Sequence, residues 1–172
     1  FSFGIANFQA TFSLYVDHKY DYSPQRIAAI LTVGGFVGVV IQTVVIDRLF
    51  KRFGELNVIL VNLVVGAVSL VLFFLVDSFW LILVLATVFS IATTLIRPAV
   101  NTIVSKLAGN EQGFAAGMNN AYMSLGNMIG PALAGILFDV NINVPFLVGA
   151  FILLCTWGIT LAWVKKKKPV IL

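Results

Sequence analysis

Six long apolar runs, separated by short clusters of charge, constrain this chain more than any other feature. They cover roughly residues 1–16, 24–46, 56–76, 79–104, 113–138 and 144–164. A helix needs about 20 apolar residues to cross a hydrocarbon core, and most of the runs supply them. Lipid offers backbone N–H and C=O groups no hydrogen bonds, so each run must satisfy its own as a helix. The expected fold is therefore an all-α integral membrane protein with six transmembrane helices. Composition agrees, since only 10% of residues are charged against about 25% in a soluble domain. No soluble domain or low-complexity segment interrupts the pattern, so residues 1–172 read as one six-helix bundle.

The links between runs set topology and orientation. Ser23-Pro24 supplies an N-cap and an N1 proline for the second run. Asp77-Ser78 is too short a link for anything but an antiparallel hairpin, and Ser105 to Gln112 reads as the loop before the fifth run. Arg48, Lys51, Arg52, Lys106 and Lys165 to Lys168 follow the second, fourth and sixth runs. Asp17, Asp21, Asp77 and Asp139 lie in the alternate links, beside Lys19. Lysine and arginine gather on the cytoplasmic side of membrane proteins, which puts the C-terminus, with a tail at 165–172, in the cytoplasm. The chain opens at Phe1 within an apolar run, so the first helix is expected to be truncated at its start and the chain to be part of a longer protein.

Several functions are disfavoured. The net charge of +4 sits largely in a juxtamembrane lysine cluster, without the basic groove of a nucleic-acid binder. Cys155 stands alone in an apolar run and reads as a small buried hydrophobe, with no disulfide or metal-ligand spacing around it. No metal or cofactor is expected. The chain contains no H-E-x-x-H and no G-x-S-x-G, and its one histidine, His18, lies between Asp17 and Asp21 in what reads as a solvated cluster. An enzyme is not expected.

The polar residues inside the runs are more informative. Thr87, Ser90, Thr94, Arg97 and Asn101 recur three or four residues apart, which aligns them on one helix face. Arg97 is the only charged residue well inside a run, about 10 Å from its end at 1.5 Å per residue. A charge at that depth faces protein or a water-filled cavity, or else snorkels toward the interface. In the fifth run, Gly117, Gly126, Gly130, Pro131 and Gly135 form a small-residue series that allows close helix approach. Asn120, Ser124 and Asn127 add a polar stripe to it, suited to pairing helices or lining a path. In the first run, Asn7, Gln9 and Thr11 stand among Phe8, Phe12 and Tyr15, aromatics suited to packing or to an apolar ligand pocket. Gly34 and Gly38 in the second run predict another close contact, with Gln42 nearer the cytoplasmic side.

These spacings resemble a known family. Gly117, Gly126, Gly130-Pro131 and Ala134-Gly135 are similar to the antiporter motif of major facilitator superfamily drug exporters. Asp47-Arg48-Leu49-Phe50-Lys51-Arg52 resembles the D-R-x-G-R-R loop of that superfamily, with Phe50 in place of its glycine. Stretches such as Tyr22-Ser23-Pro24, Ile96-Arg97-Pro98-Ala99 and Gln112-Gly113-Phe114-Ala115 look like the C-terminal half, helices seven to twelve, of NorA-type quinolone and multidrug exporters.

The resemblance implies a drug/proton antiporter of the plasma membrane working by alternating access. Its implied partners are the bilayer, an N-terminal six-helix half, protons and a small amphiphilic substrate. Asn127 and Arg97 match it and carry over as cavity-lining candidates, to which the stripes described above add Gln9, Phe12, Ser90, Thr94, Asn101 and Asn120, while Asp47, Arg48, Lys51 and Arg52 form the cytoplasmic loop motif that the resemblance implies. The acidic positions tied to proton coupling in that type read Gln9 and Thr94 here, and neither side chain titrates. An exporter of one metabolite (a sugar, amino acid or siderophore) and a binding-only membrane protein without proton coupling are the alternatives.

Overall fold

The computed structural model describes residues 1–167, and among them every regular element is helical. Six long helices, α1 (Ser2–Tyr20), α2 (Pro24–Val44), α4 (Glu55–Leu72), α5 (Phe79–Ala108), α6 (Gln112–Val140) and α7 (Val144–Lys167), run up and down. A short α3 (Ile46–Phe53) lies between α2 and α4. Lys168 and the rest of the expected tail fall outside the described residues, while Lys165 to Lys167 continue α7. Among the described residues, five helices are long and apolar enough to cross a membrane: α2, α4 with its following turn, α5, α6 and α7. The more polar α1 completes the six-helix bundle by packing against α6 and α7.

Several boundaries differ from expectation. The first helix does not stop at Asp17 but runs to Tyr20, where Asp21 takes a left-handed conformation and returns its N–H to the Asp17 carbonyl. An αL residue just past the last turn is a standard helix stop, and Asp tolerates it better than most side chains. The segment Ser105 to Gln112 is mostly helical, which leaves only Gly109 to Glu111 between α5 and α6. Residues Asp47 to Arg52 are not a loop but the middle of α3. Ile46, Leu49, Phe50 and Phe53 recur at helical spacing, so one stripe of α3 is apolar and the rest charged. Gly54 ends it at φ 76°, a conformation that favours glycine. Ser23 occupies the N-cap of α2 as expected, but its hydroxyl makes no capping bond.

The core is an aromatic seam. Phe8, Phe12 and Tyr15 on α1 meet Phe73 after α4, Phe89 on α5 and Phe146 on α7, with Phe12, Tyr15 and Phe73 fully buried. Ring centroids lie 4.1 Å apart for Phe8 and Phe89 and 4.4 Å apart for Tyr15 and Phe146. Phe12 therefore packs in the core rather than lining a cavity.

At the acidic end of the bundle, α4 tightens into a 3₁₀ turn at Phe73–Leu75. The Tyr15 hydroxyl donates to the Phe73 carbonyl at 3.4 Å, and the Tyr20 hydroxyl donates to the Val76 carbonyl. These bonds satisfy carbonyls that the ending helix leaves unpaired. Lys19 donates to the Tyr15 hydroxyl at 2.9 Å, lies over the Tyr20 ring and approaches Asp77 at 4.0 Å. The basic end has a simpler link, with Lys106 of α5 paired to Glu55 of α4.

The outer helices dock differently. On α2 only Ile30, Gly34 and Gly38 are buried, and on α6 only Gly130 and Ala134. Cys155, expected to be buried, is exposed on the outer surface of α7.

Candidate functional site

Glycine contacts fix where the outer helices sit. A Cβ on Gly34 would come within 2.9 Å of the Ser90 hydroxyl, and one on Gly38 within 3.1 Å of the Thr94 hydroxyl. The α2 backbone thus rests on the polar stripe of α5. On the opposite side, a Cβ on Gly126 would meet the Phe3 amide nitrogen at 2.9 Å. One on Gly130 would meet the Phe3 carbonyl oxygen and the Ala6 Cβ, each at 3.0 Å. So α2 clasps α5 and α6 clasps α1, while α1 and α5 meet through the Phe8 and Phe89 rings.

That arrangement leaves a polar cleft between α1 and α5. One cavity of about 340 Å³ is lined by Ile5 and Gln9 of α1, Gln42 of α2, and Thr93, Thr94 and Arg97 of α5. A second, also about 340 Å³, is lined by Ala6, Gln9, Ala10, Arg97, Asn127 and Pro131. Gln9 and Arg97 line both cavities, which makes them the shared centre of the cleft. Each volume lies in the range of small-molecule sites. Neither lining contains an Asp or Glu. Among the described residues, the Arg97 guanidinium has no hydrogen bond or ion pair.

A third cavity, about 280 Å³, lies toward the basic end between α5 and α6. Asn101, Ser105, Gln112, Asn119 and Asn120 contribute its polar groups, and Asn119 Nδ2 donates to Asn101 Oδ1 at 2.9 Å. Asn101 is one helical turn from Arg97, so uncharged polar groups lead from the basic end to the centre of the cleft.

The structure therefore divides the residues singled out from sequence. Gln9, Thr94, Arg97 and Asn127 converge on the central cleft, and Asn101 and Asn120 line the cavity beside it. Ser90 instead meets the α2 backbone at Gly34. Within the glycine series, Gly126 and Gly130 form the α1 contact, while Gly117 and Gly135 have open space where a Cβ would stand. Pro131 borders the cleft. On α3, Asp47, Arg48, Lys51 and Arg52 are exposed, and the Arg52 guanidinium lies over the Phe53 ring. Gln42, Thr93, Gln112 and Asn119 join the site although sequence reading did not place them there. Gln42 carried a usable signal, a lone amide four residues beyond Gly38 and so on the same face. Asn7, polar within the first run, lies fully buried, with neither side-chain amide atom partnered among the described residues. An unsatisfied buried amide of this kind costs about 1–3 kcal/mol.

Comparison with known proteins accounts for this architecture. Residues 1–171 match the family model of the Major Facilitator Superfamily. The chain is 42% identical over 166 residues to multidrug resistance protein 2 of Bacillus subtilis, covering 96% of this chain and 42% of that protein. It is 41% identical over 162 residues to multidrug resistance protein 1 of the same organism, covering 94% of this chain and 42% of the relative. Identity to the quinolone resistance protein NorA of Staphylococcus aureus is 37% over 166 residues, at 96% and 42% coverage. The chain thus spans less than half the length of these curated relatives. With helices of membrane-spanning length and a family match along nearly its whole extent, the chain belongs to the Major Facilitator Superfamily.

Proposed function

We propose that this chain is one half of a secondary transporter that exports small amphiphilic compounds, in the manner its relatives' names suggest for multidrug resistance. The observation that carries this reading is the cleft shared by Gln9 and Arg97, built from α1, α2, α5 and α6. A second six-helix half would close over the cleft, and rocking of the halves would expose it to each side of the membrane in turn. The basic end, with Arg48, Lys51, Arg52, Lys106 and Lys165, faces the cytoplasm of the plasma membrane in this reading.

Proton coupling places a demand on the rest of the transporter. A buried carboxylate exchanges protons because desolvation raises its pKa toward the working range. The lining of this cleft offers only amides, hydroxyls and a guanidinium for that purpose. A proton-coupled cycle would therefore use a carboxylate from the other half. The test is substrate flux by the full-length protein in proteoliposomes loaded with a pH indicator. Drug-driven proton release supports antiport, and flux of drug without protons removes the antiport step while keeping export. Absence of flux across a panel of amphiphiles would leave a binding-only protein.

A further inference from the structure

Among the described residues Arg97 is an unpaired cation at the centre of an otherwise uncharged cleft, and from this we propose that the site takes an amphiphile carrying a carboxylate, which Arg97 binds. The proposal rests on the export reading above and specifies its substrate class.

Three observations support it. Arg97 lines both central cavities, so the residue stands on the cleft side of α5. It has no acidic partner among the described residues, whose ion pairs, Lys19 with Asp77 and Lys106 with Glu55, lie at the two ends of the bundle. Its polar neighbours, Gln9, Gln42, Thr94 and Asn127, are all neutral groups able to donate hydrogen bonds. A charge at this depth is costly without a counter-charge, and the planar guanidinium fork matches a carboxylate in a bidentate pair. The remaining lining, Ile5, Ala6, Ala10 and Pro131, supplies an apolar wall. A flat apolar body with one carboxylate is complementary to such a wall with one cation beside it. A monovalent organic cation is not, because it would meet Arg97 with no acidic group among the residues this chain contributes to offset the repulsion.

The test compares binding of dansylglycine and its methyl ester to the purified full-length protein in neutral detergent, with protein-free micelles subtracted. The two probes share an apolar body and differ by one charge. The wild-type protein is expected to bind the acid at least about tenfold more tightly than the ester, the scale of one hydrogen bond to a charged group. Arg97→Gln should bring the acid-to-ester ratio to about one, and Arg97→Lys should keep part of the preference. Gln9→Glu, which places a carboxylate beside Arg97, reads the same ratio independently of how well Arg97→Gln folds, and should abolish the preference. Equal binding of acid and ester by the wild type would overturn the proposal and indicate that a carboxylate elsewhere in the transporter neutralises Arg97. An acid preference that survives both Arg97→Gln and Gln9→Glu would also overturn it. A preference for the acid that depends on Arg97, with no flux in proteoliposomes, would uphold the proposal and defeat the export reading alone.

Discussion

The aromatic seam of α1, α4, α5 and α7 and the glycine seams beneath α2 and α6 hold one bundle together by different means. In the first, large rings fill the space between helices, and Phe12, Tyr15, Phe73 and Phe146 are almost wholly buried. In the second, the space is removed, because Gly34, Gly38, Gly126 and Gly130 let backbones approach directly. Lipid is as apolar as leucine, so neither seam gains much from leaving water, and both depend on close van der Waals contact. The contrast shows how the cleft arises. Bulky packing on one side spaces α1 from α5, and close docking on the other brings α2 and α6 to its rims.

Substitutions at the two seams should therefore fail differently. The largest effect is expected from Phe146→Ala, which opens a void where Phe8, Tyr15 and Phe73 converge. A loss of about 3 kcal/mol is expected, read as a lower melting temperature of the full-length protein in detergent. Gly126→Leu comes next, because the new side chain meets the Phe3 backbone rather than a movable side chain. About 2 kcal/mol of overpacking is expected, with Gly117→Leu as the comparison, since open space surrounds that site within this half. Equal losses at Gly117 and Gly126 would show that the seam does not depend on that contact.

A smaller effect tests the α2 seam. Gly34→Ala presses on the Ser90 hydroxyl, a group that rotates, so about 1 kcal/mol is expected. Ser90→Ala in the same protein should recover part of it, and a double-mutant cycle measures the coupling. Additive losses would place the strain elsewhere. The smallest effect is expected from Glu55→Gln, which removes the partner of the exposed Lys106 and should cost about 0.5 kcal/mol. A larger loss there would mean that ion pairing, as well as rings, holds α4 to α5.

Most of the architecture was legible because lipid leaves a long apolar run no alternative to a helix. The exceptions have physical causes. The stripe Ile46, Leu49, Phe50 and Phe53 was visible, but it is only two turns long and carries as many charges as apolar residues, so it read as a loop. Cys155 was misplaced because a membrane helix is apolar toward lipid and toward protein alike, and periodicity does not distinguish the two faces. Phe12 and Gln9 lie three residues apart on α1, yet one enters the core and the other the cleft, a choice made by the neighbouring helices. Ser90 and Arg97 share a stripe on α5, and the register of the α2 glycines covers one and leaves the other open. The place of Arg97 in the cleft was legible because an intramembrane charge has few places to go.

The bonds from Tyr15 and Tyr20 to carbonyls at the end of α4 reach beyond the local turn. With Lys19 seated against both rings, they staple α1 to the α4–α5 hairpin at the acidic end. At the basic end, α5 and α6 are connected by Gly109 to Glu111, where Gly109 has φ 52°, and linked by the Asn101–Asn119 bond near the cavity mouth. Cross-links between elements distant in sequence are thereby concentrated at the acidic end, with Lys106–Glu55 the one ion pair at the basic end among the described residues. Removing the Tyr20 hydroxyl would therefore leave the Val76 carbonyl without its partner on α1 and weaken the tie between α1 and the α4–α5 hairpin at that end.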